Sequence, residues 1–428
     1  MPIACQNQPM AKPVNPPRGM RDFPPAEKAR RESVLSVIRE TYRAHGFDEI
    51  ETPVMEDSAR LHTGLGGDNE KLAFGVLKRG LTADDLAEAK DPIDLVDLGL
   101  RFDLTVPLAR FYATHHADLP TVFRAIQIAP VWRAERPQKG RYRQFMQCDI
   151  DIIGEKGPLA EIELIRATAA TLGALGVTGW SIRLNDRRIL HSLLAWWGID
   201  AGLRDHALIT LDKEDKIGVD GVARELKDLG LADSDRVAST LRELKSRPDD
   251  GWSLADSMPD WLDANAYREL LAIRDAMPDL PLVFSPNLVR GMGYYTGAIF
   301  EIAHPASAGS LGGGGRYDGM IGRFLGTDVP ASGFSIGFER ILDLVELSDS
   351  PTADAVAILY DDTVPPANLV ALKTALIAQG RRVRLERRHK NLKPQLEQFA
   401  ASGFRQFASV AGESTGVDDL EFRDLDLD

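Results

Sequence analysis

The stretch RAERPQKGRYRQFMQCDID, residues 133–151, decides the fold because it predicts two strands joined by a cationic turn. Its first half contains five cations around Pro137 and Gly140, namely Arg133, Arg136, Lys139, Arg141 and Arg143. Guanidinium groups bind phosphate oxygens bidentately, so a flexible cationic hairpin tip suits a triphosphate. A charged surface hairpin, whose acids pair with its own arginines, explains the same residues.

The second half of this stretch alternates along one strand. A period of two residues places Phe145, Gln147, Asp149 and Asp151 on one face. That face offers a ligand an aromatic platform, an amide and two carboxylates.

Outward from the hairpin, the chain predicts an α+β protein. Strands are predicted at 94–98, 122–133 and 143–153, and again at 283–291, 294–303 and 332–338. Helices are predicted from Pro25 to about Gly46 and over 158–176, and the region 186–280 is helix-rich. Residues 353–428 alternate strand and helix, which indicates a small α/β unit with a largely parallel sheet. The expected domains are an α+β body at 1–185 and 281–348, which the resemblance given below makes the catalytic domain, a helical insertion at 186–280, and a small α/β domain at 353–428, which is short by the same resemblance.

Four further segments carry candidate ligand-binding residues. LVRGMGYYTG, residues 288–297, places Arg290, Tyr294 and Tyr295 among glycines, which suits close approach of backbone to a ligand; a bulged core strand is the alternative. LGGGGRYDG, residues 311–319, has no side chains to pack at four positions, which suits a pocket wall. GFSIGFERI, residues 333–341, predicts a strand running into a helix that presents Arg340. LRFDLTVPLAR, residues 100–110, places Asp103 and Thr105 on one strand face or at a helix N-cap.

Composition and charge restrict the function classes. The 428 residues are 44% hydrophobic and 27% charged, as in globular proteins. The net charge of −13 argues against broad nucleic-acid binding, which needs a basic footprint. Residues 381–393 nevertheless form a basic strip that suits a polyanion, or else a solvated face beside the acidic tail 413–428. No window approaches a membrane span, no apolar signal region is visible, and no phosphate-loop or dinucleotide motif occurs, so we expect a cytoplasmic protein without membrane contact.

In this order and spacing, the segments resemble those of the histidyl-tRNA synthetase family, a class II aminoacyl-tRNA synthetase family. The resemblance runs from about residue 17 to about residue 420. GFDEIETPVMED, residues 46–57, resembles motif 1, the dimer-forming element. Residues 133–151 resemble motif 2 in its histidyl form, and residues 333–340 resemble motif 3. The segments LVRGMGYYTG and GGGGRYDG resemble the two stretches peculiar to the histidyl enzymes.

The resemblance implies an antiparallel-sheet catalytic domain that activates histidine with ATP and transfers it to tRNA(His). The implied histidine-binding positions are Asp103, Thr105, Gln147, Asp151, Tyr294 and Tyr295. The implied ATP-binding positions are Arg133, Glu135, Arg141, Phe145 and Arg340, of which Phe145 and Arg340 sandwich the adenine. Arg133 and Arg290 are the implied catalytic cations at the α-phosphate. The resemblance further implies a homodimer and Mg²⁺ on the ATP phosphates; no protein ligand for the metal is assigned.

Two departures from the family pattern keep alternatives open. Gly293 stands where the family usually has an acid, and the C-terminal block has no clear final helix. One alternative is a histidine-sensing regulatory subunit of ATP phosphoribosyltransferase, although such relatives typically lose the C-terminal domain and the ATP-binding arginines. The other is a paralogue that activates histidine for a different acceptor.

Overall fold

A computed structural model describes residues 14–62, 72–137, 140–230, 233–246, 251–252, 258–290, 293–307, 309–346, 355–412 and 416–425. Lys139 and Gly291, which the sequence patterns singled out, lie outside the described residues. The chain divides into two units by backbone contacts. The larger comprises Met1–Asp22 and Ser36–Val345, and the smaller comprises Phe23–Leu35 and Glu346–Asp428.

The larger unit is built on an eight-stranded sheet. In spatial order its strands are β1 (Asp48–Glu49), β5 (Phe123–Trp132), β6 (Gln144–Ile153), β11 (Ala331–Gly337), β10 (Gly312–Arg316), β9 (Ala298–Ala303), β7 (Ser181–Asp186) and β8 (Leu282–Phe284). The strand pairs are antiparallel except the two outermost, β1 with β5 and β7 with β8. A smaller antiparallel sheet contains β2 (Met55–Asp57), β4 (Val96–Leu100) and β3 (Phe74–Leu77). The predicted α+β class with an antiparallel catalytic sheet is confirmed.

Most helices of the chain lie between strands of this sheet in the order of the sequence. The first begins at a Pro in its first turn and is α1 (Pro25–Ala44); the next four are α2 (Ser58–His62), α3 (Ala83–Glu88), α4 (Thr105–His115) and α5 (Leu159–Ala174). The region between β7 and β8 is helical, as its sequence indicated, with α6 (Arg187–Trp196), α7 (Arg204–Leu211), α8 (Glu214–Asp228), α9 (Ser234–Ser246) and α10 (Ala264–Asp275). Two short helices follow strands β10 and β11, namely α11 (Asp318–Leu325) and α12 (Phe338–Ile341).

Apolar packing beside the sheet joins helices α4 and α11. Their buried side chains share one core with Phe102, Phe123, Tyr294 and Tyr317. Burial of such side chains contributes about 1.5–3 kcal/mol each, so this core holds the two tyrosines in defined positions. The core therefore forms one wall of the region where the sequence patterns placed ligand-binding residues.

The smaller unit has a four-stranded sheet, as the alternation in the sequence predicted. Its strands are ordered β13 (Arg382–Arg387), β12 (Ala355–Tyr360), β14 (Gln406–Val410) and β15 (Arg423–Asp424), and only the last pair is antiparallel. Successive residues of β12 are buried in two apolar cores on opposite faces, which explains its continuous apolar run. Its helices are α13 (Pro366–Ala378) and α14 (Leu392–Ala401).

Two local predictions were wrong. Residues 285–290 leave the sheet after Phe284, because the side chain of Asn185 binds the carbonyl groups of Pro286 and Leu288. Residues 103–105 form no strand: α4 begins at Thr105 with Leu104 as its N-cap residue, and Asp103, one residue earlier, accepts a hydrogen bond from the Val106 amide.

The glycine run 312–315 forms a central strand although glycine is a poor strand former. A Cβ atom at position 314 would lie 1.9 Å from the Gly333 carbonyl oxygen and 2.8 Å from Phe300 Cε2. Backbone atoms of the neighbouring strand cannot move aside without breaking the ladder, so this position requires glycine.

We expect Gly314→Ala to lower the thermal unfolding midpoint, with a loss above about 2 kcal/mol because the clash is with backbone. Gly319→Ala is the matched control, since a Cβ there meets nothing within 4 Å and lies in helix α11. That variant should be neutral or stabilised by up to about 1 kcal/mol. Similar midpoints for the two variants in differential scanning calorimetry would contradict the assignment.

Candidate active site

One face of the large sheet collects the polar residues that the sequence singled out. Strand register places Gln127, Asp149, Ser335, Gly313 and Glu301 side by side across β5, β6, β11, β10 and β9. The adjacent row on the same face, running from Ala125 through Asp151, contains glycines at 333 and 315. Phe145 and Gln147 continue this face along β6. The face is therefore polar over β6 and bare of side chains over β10.

The bare glycines allow other side chains to lie directly on the strand backbone. A Cβ atom at Gly313 would lie 2.6 Å from the Arg290 guanidinium carbon, and one at Gly315 would lie 2.9 Å from Tyr295 Cδ1. At Gly333, a Cβ would lie 2.0 Å from Asp151 Oδ1. Any larger residue at these positions would displace one of the three side chains.

Three buried carboxylates form the acidic end of the site: Asp103, Asp149 and Asp151. Asp103 accepts a 3.2 Å hydrogen bond from the Val106 amide through Oδ1, whereas its Oδ2 has no hydrogen-bond partner among the described residues. Asp149 accepts hydrogen bonds of 3.1 and 3.3 Å from Gln147 Nε2. A buried carboxylate oxygen without a donor is costly, so Asp103 is suited to receive a cationic group from a ligand.

Burial and mutual repulsion act on the protonation of these acids. Burial raises the pKa of Asp103 to about 6, although the Val106 amide and the charge of Arg133 oppose the shift. Burial raises the pKa of Asp151 to about 7 against a 2.6 Å hydrogen bond from the Tyr317 hydroxyl, and Asp103 adds to the rise. Burial, followed by the charge of Asp151, raises the pKa of Asp149 as well. A ligand cation placed among them would restore their charged forms.

Aromatic side chains line the space above these carboxylates. The rings of Tyr294 and Tyr295 meet edge to face with centroids 4.9 Å apart, and Tyr317 meets Tyr294 at 6.0 Å. Burial raises the pKa of the Tyr294 phenol, and the Thr105 side chain, at the start of α4, opposes this rise. The two tyrosines and Thr105 thus lie together beside the acidic end.

The opposite end of the site is cationic. Arg133 donates from Nε to the Phe102 carbonyl at 3.0 Å, and its guanidinium lies 5.1 Å from the Phe145 ring centroid. Arg290 donates to Glu301 at 2.8 Å, and its Nε has no hydrogen-bond partner among the described residues. Arg340 donates to the Ser310 carbonyl.

These arginines lie close enough to repel one another. Burial lowers the pKa of Arg340, and the charges of Arg141, Arg290 and Arg133 lower it further. Arg141 and Glu135 form a loose ion pair of 3.7 Å at the tip of the hairpin. Four guanidinium groups that converge on one space with few acids between them form an anion site.

The N-terminal segment buttresses the cationic hairpin, which the sequence patterns did not reveal. The Arg143 amide donates to the Gly19 carbonyl at 2.8 Å, and Gly19 has a φ of +84°. Arg21 lies 3.4 Å from the Tyr142 ring centroid and pairs with Glu339, the neighbour of Arg340. This segment therefore joins the hairpin to the helix that carries Arg340.

Three other site residues were missed in the sequence: Glu301, Ser310 and Tyr317. Glu301 is the one acid in the apolar strand AIFEIA, and a lone acid in a predicted core strand is a usable signal. Tyr317 lies in the glycine-rich segment 311–319, where the sequence pattern indicated no role for it. No local sequence pattern marks Ser310 as a site residue, because only the tertiary structure brings it to Arg290 and Arg340.

Comparisons with known proteins agree with this geometry. The family model for histidyl-tRNA synthetase matches residues 19–341. A histidine–tRNA ligase of Leifsonia xyli is 60% identical over 422 residues, covering 95% of this chain and 98% of its own length. A probable histidine–tRNA ligase of Tropheryma whipplei is 43% identical over 92% of this chain and 95% of its own. The crystal structure of histidyl-tRNA synthetase from Nostoc sp. PCC 7120 shares the fold, with a TM-score of 0.75, 24% identity and coverage of 97% of this chain and 95% of that one.

The pKa values of the buried acids predict a pH dependence of stability in the ligand-free protein. Because the folded pKa of Asp151, about 7, exceeds the ordinary value of 3.8, its contribution is present at low pH and is lost as pH rises through 7. Asp151→Asn removes this ionisation and keeps an acceptor for Tyr317. We expect the urea midpoint of the variant to fall less between pH 5 and pH 8 than that of the wild type. The free energy of unfolding of the wild type should fall by at most about 4 kcal/mol more than that of the variant.

Urea titrations at four pH values test this expectation, with the exposed Asp97→Asn as control. Parallel pH profiles for wild type and Asp151→Asn would show that Asp151 does not titrate in this range.

Proposed function

The chain belongs to the histidyl-tRNA synthetase family, and from this premise we propose that it is a histidine–tRNA ligase. It activates L-histidine with ATP to histidyl-adenylate and pyrophosphate, and then transfers the histidyl group to tRNA(His) with release of AMP. One observation carries the proposal at the level of residues. A single sheet face has buried carboxylates at one end and converging arginines at the other, as a ligand with a cationic and a polyphosphate end requires.

Histidine would bind at the acidic end. Its α-ammonium group would pair with Asp103 Oδ2, which has no other hydrogen-bond partner among the described residues, next to Thr105. Its imidazole would lie among Gln147, Asp151 and the two tyrosines at 294 and 295. A pocket of buried hydrogen-bonding groups strongly rejects apolar analogues, because these leave its polar groups unpaired.

ATP would bind at the cationic end. Arg133, Arg141 and Arg340 would contact the triphosphate and the base, with Glu135 at the hairpin tip. Phe145 and Arg340 would enclose the adenine by stacking and cation–π contact, which requires the Phe145 ring to accept a base beside its present neighbour Arg133.

Mg²⁺ enters the proposal as part of the MgATP substrate. Among the described residues, no group of three or more His, Cys, Asp or Glu side chains is arranged to hold a metal ion. We therefore assign it no protein ligand. Bound to the phosphates, Mg²⁺ neutralises part of their charge.

The chemistry requires positioning more than acid–base catalysis. The histidine carboxylate attacks the α-phosphorus, a P–O bond forms, and the bond to pyrophosphate breaks. Charge develops on the α-phosphate oxygens, and Arg290 and Arg133 stabilise it because their guanidinium groups are held in place before the reaction. A tRNA hydroxyl then attacks the carbonyl carbon of the adenylate, and AMP leaves.

tRNA binding is proposed for the smaller unit. The basic strip 381–393 includes edge strand β13, on which Arg382 and Arg384 lie 4.6 and 4.7 Å from the Phe404 ring. Contacts between arginines of this strip and the tRNA phosphates would provide affinity without reading the base sequence.

None of the helices in the described part of the chain is long and apolar enough to cross a membrane. A cytoplasmic location stays a prediction.

A homodimer is proposed through the small sheet of strands β2, β3 and β4. Register places Met55, Phe74, Val76, Leu98 and Leu100 on one face, with Asp57 opposite Leu98 as its one acid, and Met55 and Leu98 are 46% and 39% exposed. The other face of this sheet packs on Leu61 through Gly99. Strand β2 lies in the segment that resembles motif 1, the dimer-forming element, so a second copy is the proposed occupant of this apolar face.

We predict that sedimentation of the wild-type protein gives twice the chain mass of 47.0 kDa. Leu98→Asp should shift the measured mass toward that of the monomer. A carboxylate at a buried interface would be unpaired, which disfavours association. Val370→Asp, on a 61% exposed apolar residue of the smaller unit, is the control and should leave the mass unchanged. Analytical ultracentrifugation decides; a Leu98→Asp dimer as tight as wild type would rule out this face.

We predict that Arg290→Ala lowers histidine-dependent ATP–pyrophosphate exchange at least about 10²-fold, the effect typical of one electrostatic stabiliser. Arg166→Ala, which breaks a surface ion pair with Asp279, should exchange at the wild-type rate. Near-normal exchange by Arg290→Ala would remove Arg290 from the mechanism.

The same assay tests the function itself when it is followed by charging of tRNA(His). Exchange with charging supports the ligase. Exchange without charging would favour a paralogue with another acceptor. Histidine binding without exchange would favour a regulatory subunit.

A further inference from the structure

The segment 285–290, which leads from strand β8 to Arg290, is held from two sides. On the sheet side, the fully buried Asn185 donates from Nδ2 to the carbonyl groups of Pro286 and Leu288, each at 3.0 Å. The Ser285 amide also donates to the Leu184 carbonyl at 2.8 Å. These contacts fix the backbone of the segment relative to β7.

On the helical side, the segment is held through one buried carboxylate. Asn287 donates from Nδ2 to Glu214 Oε2 at 3.2 Å, and Lys245 Nζ lies 2.6 Å from Glu214 Oε1. The Glu214 side chain is 6% exposed, while Lys245 is 47% exposed. Glu214 begins α8 and Lys245 lies near the end of α9, so a single carboxylate joins both helices to residue 287.

Asp212, which follows α7 directly, also acts on Arg290 electrostatically. Burial lowers the pKa of the Arg290 guanidinium, but Tyr295, Glu301 and Asp212 act in the opposite direction, and the balance is a raised value. Asp212 lies two residues before Glu214. The guanidinium is therefore within electrostatic reach of the residues that Glu214 anchors.

The burial of Glu214 has no role in the proposed chemistry, since it touches neither Arg290 nor the acidic end of the site. Burying a carboxylate is costly unless hydrogen bonds and a counter-ion compensate, and both partners here come from the segments that it joins. A surface ion pair such as Lys213–Glu225, between the residue before α8 and a later residue of it, needs no such burial, because both of its side chains are 42% exposed.

We propose that Glu214 is a positioning residue for Arg290: through Asn287 and Lys245 it ties the segment 285–290 to helices α8 and α9 and thereby holds the guanidinium against Gly313. This inference rests on the proposed function, in which Arg290 stabilises the charge at the α-phosphate. It predicts that the helical region affects the rate of adenylation without contacting either substrate.

The experiment is histidine-dependent ATP–pyrophosphate exchange by the full chain, with rate and KM determined for both substrates. Glu214→Ala and Asn287→Ala should each lower kcat about tenfold, as expected for loss of one hydrogen bond to a charged group, with KM for histidine within about twofold. Glu214→Gln keeps an acceptor for Asn287 and should recover most of the rate. Glu225→Ala is the matched control on α8 and should behave as wild type.

A double-mutant cycle separates positioning from general damage to the fold. In an Arg290→Ala background, Glu214→Ala should cost less than about twofold, because the group that it positions is already absent. A full tenfold effect in that background, or wild-type kcat for both Glu214→Ala and Asn287→Ala, would overturn the inference. If Glu214→Ala does not fold, Asn287→Ala decides alone, since it leaves the Glu214–Lys245 pair intact. Failure of wild-type protein to exchange would reject the proposed function instead.

Discussion

The absence of side chains at Gly313 and Gly315 of strand β10 and at Gly333 of strand β11 is the constraint on which the site depends. At positions 313, 315 and 333 the backbone itself is the surface, and Arg290, Tyr295 and Asp151 lie where Cβ atoms would otherwise be. Glycine at these positions has a low propensity for β-structure. The strands form nevertheless, because each is paired on both sides within an eight-stranded sheet.

Charge is organised by the same sheet. Strand β6 presents its carboxylates toward the core of α4 and α11, where burial raises their pKa values, while the cationic hairpin and the segment before Arg290 bring arginines to the other end. Each end is unfavourable alone, since like charges repel in a medium of low dielectric constant. A ligand with opposite charges at its two ends would relieve both, so we expect substrate binding to stabilise this region.

The outer contacts of the site come from parts of the chain that carry no ligand-binding motif. Gly19 and Arg21 hold the hairpin, Asn185 holds the segment after β8, and Glu214 joins that segment to the helices. These contacts fix groups that, in the proposed mechanism, must be in place before the reaction begins, because reorganisation during the reaction would add to its barrier. The helical region thus belongs to the architecture of the site.

The sequence by itself determined the class of the fold, the order of most strands and helices, and the residue types of both ends of the site, because these follow from local period and composition. It could not determine that GGGG forms a central strand, that residues 285–290 leave the sheet, or whether residues 103–105 lie in a strand or before a helix. The first two outcomes depend on partners distant in the chain: a Cβ atom at Gly314 would meet the Gly333 carbonyl oxygen, and Asn185 binds residues about a hundred positions away. Only the tertiary structure decided that Glu301, Ser310 and Tyr317 join the site, since contacts between segments distant in the chain bring them to Arg290, Arg340 and Asp151.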